Sequence, residues 1–142
     1  MPTLPRVVSP VRPLFTRDDI DIALISVELW PDHVVVRLAA LPNEITVERQ
    51  RRYEVEFGAL GLARDPPDQP GMQLLAPLEI AVEDDQGTRY DRRSSNTGGT
   101  GSEWHGDWFF AGEVPTSIAR ITVRVSSPDG ETAAVALDLS GV

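Results

Sequence analysis

From Ile20 onward, apolar and polar residues alternate with a period of two along most of the chain, the pattern of strands that bury one face. In "PLEIAVED", Leu78, Ile80 and Val82 fall on one side and Glu79, Ala81 and Glu83 on the other. "ARITVRVSS" sets Ile121, Val123 and Val125 against Arg120, Thr122 and Arg124, and "TAAVALDLS" turns Ala133, Val135, Leu137 and Leu139 inward. "YEVEF" offers Tyr53, Val55 and Phe57 against two glutamates and is expected to be a further strand. "IDIALISVELW" switches its apolar phase near Leu24, which predicts a β-bulge or a strand crossing between sheets. No amphipathic helix of useful length is expected.

Turn residues punctuate these runs. Pro31-Asp32 leads into "HVVVRLAAL", "EDDQG" occupies 83 to 87, and "SPDGE" at 127 to 131 is a strong Pro-Asp-Gly turn. Short strands with turns at this spacing predict an all-β fold, a two-sheet antiparallel β-sandwich of seven to eight strands. Two stretches break the rhythm and are expected to be loops. Residues 58 to 77 are rich in proline and glycine, and residues 94 to 103, "SSNTGGTGSE", are polar and flexible in composition. Residues 1 to 17 carry Pro2, Pro5, Pro10 and Pro13, so they are expected as an extended arm along the surface or mobile, excluded from helix and central strand. Residues 18 to 142 then form a single domain.

A length of 142 residues is enough to bury a core without staples. With no cysteine, disulfides, thiolate catalysis and cysteine-ligated metal centres are excluded. No apolar run is long enough for a membrane span, and "MPTLPRVVSPVRPLF" lacks the form of a secretory signal. A cytoplasmic location is the expectation. All 13 basic residues are arginine, against 22 acids, for a net charge of −9. The absence of lysine points to a high-GC bacterial genome, and the negative field opposes nucleic-acid binding. "RQRR", with Arg49, Arg51 and Arg52, lies among Glu44, Glu48, Glu54 and Glu56 and is expected to be a solvated, mutually paired face.

Candidate chemistry is sparse. Asp84, Asp85 and Asp91 lack the alternating acid spacing of a calcium loop. Asp early in the turn with Gly87 after it is what a tight hairpin asks for, since glycine reaches positive φ at no steric cost. Zinc wants three or four ligands, and the chain has only His33, in the first hairpin turn, and His105. Ser102, His105 and Asp107 are close in sequence, yet on an extended segment Ser102 and His105 project to opposite faces. No cofactor is expected. A metal-dependent enzyme on Asp84, Asp85 and His105 stands third among the functional alternatives.

The aromatic stretch "EWHGDWFFAGE" is more informative. Trp104, Trp108 and Phe110 share one face and are expected in the core, while His105, Asp107 and Phe109 share the other. Should part of Trp104 stay exposed beside Phe109, the two would form a stacking platform. The candidate binding surface is therefore Phe109, Trp104, His105 and Asp107.

The order "VEDDQGTRY", a glycine-rich loop, "GDWFFAGEVP" and the closing hairpin "ARITVRVSSPDGETAAVALDL", over roughly residues 76 to 139, resembles uncharacterised bacterial domains with an immunoglobulin-like sandwich. The resemblance implies an immunoglobulin-like fold and no active site. Function is then expected to be a non-catalytic interaction module. Its partner is another protein, or a second copy that pairs through a sheet edge. The alternative is a small-ligand or carbohydrate-binding domain using Trp104, Trp108 and Phe109.

Overall fold

A computed structural model describes residues 4–58, 68–100 and 103–140. Its strands build two antiparallel sheets. In chain order they are β1 (Arg6–Val8), β2 (Arg12–Arg17), β3 (Ile20–Leu29), β4 (His33–Ala40), β5 (Glu79–Asp84), β6 (Asp91–Thr100), β7 (Glu103–Ala111), β8 (Arg120–Ser126) and β9 (Thr132–Asp138). The larger sheet runs β1-β3-β4-β7-β6, with β2 also paired to β3, and the smaller runs β5-β8-β9. An all-β, two-sheet architecture is therefore what the alternation encodes, with nine strands among the described residues where seven or eight were expected.

The alternating runs bury the faces assigned to them. Ile80, Val82, Ile121, Val123, Val125, Val135 and Leu137 of the smaller sheet, with Leu78 and Leu139 at its strand ends, meet Ile22, Leu24, Val27, Val34, Val36 and Leu38 of the larger in one core. The phase switch in β3 is a bulge: its register with β4 shifts between Leu24 and Ser26. The extra residue returns Val27 and Leu29 to the same side as Ile22 and Leu24.

Four local expectations are corrected. "YEVEF" is no strand: it lies at the end of helix α1 (Glu44–Tyr53) and in the π-helical turn Glu54–Gly58 that continues it. The deciding signal is at the other end of the helix, a capping box. Asn43 Oδ1 accepts from Ile45 N and Thr46 N, and Thr46 Oγ1 accepts from Asn43 N. Glu48 pairs with Arg51 and Arg52 one turn on, so the charges around "RQRR" are i,i+3 and i,i+4 helix pairs. The stretch 58 to 77 contains a helix, α2 (Pro70–Leu75), with proline at its start where no amide partner is lost. Residues 59–67 lie outside the described residues.

The expected loop at 94 to 103 is instead mostly strand β6, paired along its length with β7. An edge strand needs one neighbour only, and from Asp91 to Asn96 its polar side chains face solvent, so it carries no apolar alternation to read. Finally, the N-terminal arm is extended but belongs to the sheet. β1 pairs with the second half of β3 and β2 with the first, and the two divide one edge at Val11, whose φ is 43°.

Helix α2 closes one end of the sandwich. Leu74 and Leu75 are buried, Gly71 packs so closely on Trp104 that a Cβ would stand 2.7 Å from its Cγ, and Arg17 at the end of β2 donates to the Leu74 and Gln73 carbonyls. The Arg17 guanidinium also pairs with Asp129 in the β8–β9 turn at 2.9 Å, so it ties both layers together at that end.

Candidate functional site

The aromatic strand β7 divides as its period demands. Trp104, Trp108 and Phe110 are each 2% exposed or less and face the core. This corrects the candidate surface: Trp104 lies beneath α2 and presents nothing to solvent. His105 and Phe109 are exposed and Asp107 is half-buried, all on the outer face of the larger sheet.

Cross-strand register builds a surface around them. One row across the sheet reads Val7, Glu28, Val35, Phe109, Ser94; the next reads Ser26, Arg37, Asp107, Asn96. Arg37 Nε donates to Asp107 Oδ1 at 2.7 Å, and that bond holds the guanidinium still more firmly protonated than usual. In a partly exposed setting such a pair contributes about 0.2–1 kcal/mol to stability. Its larger effect is to fix two long polar side chains beside Phe109.

The hairpin between β3 and β4 supplies the other wall. Trp30 N donates to His33 O at 2.9 Å, which places the two side chains side by side, their rings stacked at 5.4 Å with 6° between planes. Asp32 Oδ1 lies 2.7 Å from His33 Nδ1, and this contact lowers the Asp32 carboxyl below its ordinary range. Together the Trp30–His33 stack, Val35 and Phe109 line a shallow groove of about 310 Å³, with Glu28, Arg37 and Asp107 as its polar components. Trp30 also borders a second hollow of about 390 Å³ at the end of the sandwich, shared with Leu4, Arg6, Leu29 and Val114.

Of the sequence-derived candidates the groove thus contains Phe109 and Asp107. His105 lies on the same face, on the row of Ala39 and Gly98. Sequence reasoning missed Trp30, Glu28, Val35, Arg37 and the stacking role of His33. A signal was present: residues that flank a two-residue turn stand opposite each other, so Trp30 and His33 around Pro31-Asp32 had to be neighbours. Continuing the alternation from His33 places Val35 and Arg37 on the same face.

The acidic run is occupied by its own turn, and the expected hairpin there is corrected: the turn joins β5 of the smaller sheet to β6 of the larger, two strands that do not pair. Asp84 Oδ1 accepts from Gln86 N at 2.9 Å and Thr88 N at 3.0 Å, and Asp84 Oδ2 accepts from the Tyr90 hydroxyl at 2.7 Å. Burial alone would raise the Asp84 carboxyl, but the bonds from Thr88, Tyr90 and Gln86 outweigh it and hold it below its ordinary value. Burial and the neighbouring Asp84 charge raise the Tyr90 phenol, so it stays a donor. Asp85 accepts from Ala119 N, Glu83 pairs with Arg124, and Gly87 takes φ +72°. His105 stands on the other sheet. Among the described residues no group of three or more His, Asp or Glu is placed to hold a metal ion; Ser102 lies outside them. No helix of the described residues is long and apolar enough to cross a membrane.

The chain matches no protein-family model, no curated protein and no solved structure.

Proposed function

We propose that the protein is a non-catalytic interaction module that captures a protein partner on the outer face of its larger sheet. The observation that carries this is the groove itself: Phe109, 36% exposed, faces the stacked Trp30–His33 pair across Val35, with the Arg37–Asp107 bond beside it. Aromatic rings next to an arginine, on a rigid sheet, are the composition of protein-binding hot spots. Trp104 and Trp108 are both in the core, so the platform on which a carbohydrate site would have rested is not on the surface. An immunoglobulin-like kinship belongs to the same proposal. It is supported by the Asp-x-Gly-x-x-Tyr run, whose Gly87 forms the turn and whose Tyr90 bonds back to Asp84.

Selection of displayed random peptides on the immobilised protein tests the proposal, alongside an array of oligosaccharides. Peptides are expected to be enriched and to lose binding at least tenfold to both Phe109→Ala and Trp30→Ala. Enrichment of glycans, or of peptides indifferent to both substitutions, would overturn it.

A further inference from the structure

Among the described residues the two sheets end in four edges, which are not guarded alike. β1 and β2 share one edge of the larger sheet, interrupted by Pro10, by Pro13 and by the left-handed Val11. In the smaller sheet, β5 bears Glu79 and Glu83, and β9 lies beside β2 across the sandwich. β6 has a bulge between Arg92 and Ser94 and lies beside α2, but from Ser94 to its end it carries neither charge nor proline, two devices by which natural edges discourage pairing.

The ladder parity shows which groups β6 offers. Gly112 N donates to Asp32 O, one step beyond the His33↔Ala111 pair. Hydrogen-bonded pairs alternate in an antiparallel ladder, so the even-numbered residues of β7 turn their backbone groups to β4 and the odd-numbered ones to β6. Through Ser94↔Phe109, Asn96↔Asp107 and Gly98↔His105, the partners of those odd residues point inward to β7. Ser95, Thr97 and Gly99 therefore direct their N–H and C=O groups away from the sheet.

We propose that two copies of the chain join through β6, antiparallel about a two-fold axis at Asn96, making one continuous sheet from the two larger sheets. In this register Ser95 of each copy bonds Thr97 of the other, and Asn96 meets its own mate in a non-hydrogen-bonded pair. The span from Ser94 to Gly98 is used: every outward N–H and C=O of Ser95 and Thr97 finds its partner on the same two residues of the second copy, and the bulge between Arg92 and Ser94 ends the register. A two-fold operation closes the assembly at two copies, and the pairing leaves the aromatic groove open on both.

Sedimentation velocity on the full chain, from micromolar to submillimolar concentration, is expected to show mass action between one copy and two. Asn96→Lys places like charges at the axis, and Ser95→Pro removes an outward donor without touching the β6–β7 ladder. Each is expected to weaken dimerisation at least tenfold with an unchanged near-ultraviolet spectrum; should the proline variant unfold, Asn96→Lys decides alone. The chain has no cysteine, so oxidised Asn96→Cys is expected to give a covalent dimer much faster than Ala136→Cys on exposed β9. A monomer at every concentration, a dimer indifferent to Asn96→Lys, or equal cross-linking at both positions would each overturn the proposal. A dimer broken by Phe109→Ala but not by Asn96→Lys would place the contact on the groove face and overturn it likewise.

Discussion

The indole of Trp108 lies directly against Gly106, two residues earlier on the same strand: a Cβ on Gly106 would stand 2.6 Å from Trp108 Cη2 and 2.7 Å from Cζ3. The glycine is the space into which the ring folds, and the ring is 0% exposed.

Gly106→Ala is therefore expected to destabilise the fold by about 1–3 kcal/mol through overpacking, and Trp108→Ala by about 3–5 kcal/mol through loss of the buried ring. Phe109→Ala, one residue on and facing outward, is expected to cost about 1 kcal/mol or less. Urea unfolding at constant m-value checks the order. The reverse order would mean that β7 is displaced by one residue, exchanging its faces.

The Asp84–Tyr90 bond makes a prediction in pH. Because the folded state holds the Asp84 carboxyl below its ordinary value, its contribution is complete above about pH 4 and is lost as pH falls through the lowered value. Asp84→Asn should lower stability at neutral pH and flatten the acid limb of the stability curve. Tyr90 is raised, so its contribution is complete below about pH 10 and declines above it. Tyr90→Phe should remove that alkaline decline. Thermal melts from pH 2 to 11 on the two variants read both limbs.

At the same turn, Gly87 holds φ +72°. Gly87→Ala is expected to cost about 1 kcal/mol by forcing a side chain into the left-handed region. Since the Asp84 oxygens are already taken by Gln86, Thr88 and Tyr90, millimolar calcium is expected to leave the melting temperature unchanged. A rise that EDTA reverses would refute this, because a ligand stabilises only by binding the folded state.

Removal of residues 1 to 10 takes away β1 and the bond from Arg6 to the Pro115 carbonyl. The freed edge of β3 at Val27–Leu29 is then bare, and a lowered melting temperature with increased association is expected in light scattering. An unchanged melt would mean that β1 adds nothing to the sheet.

The core was legible because burial on one face of a strand writes itself as alternation, as in Ile121, Val123 and Val125 or in Trp104, Trp108 and Phe110. β6 was not legible, for the complementary reason: a polar edge strand is specified by its neighbour, and nothing in "SSNTGGT" records that β7 lies beside it. Helix α1 was hidden by composition. Val47, and Val55 in the turn that follows, are exposed, whereas the buried positions of the helix include Thr46 and Gln50, so the apolar stripe that advertises a helix is missing and only the Asn43–Thr46 cap remains to be read. At the groove, Phe109 and Asp107 follow from alternation on one strand. Trp30, Val35 and Arg37 join them only through pairing between strands distant in sequence.

That distance has a kinetic consequence. Arg37 and Asp107, paired across β4 and β7, are 70 positions apart, so the central ladder of the larger sheet closes a long loop before it gains a single contact. Such non-local pairing is slow. On a ribosome adding roughly 5–20 residues per second, β4 waits roughly 4–14 s for its neighbour, holding "HVVVRLAA" with one edge bare. A run of three valines in that state is a template for another nascent chain. The single charge within it, Arg37, is the only local brake on such pairing until β7 arrives and Asp107 takes it up.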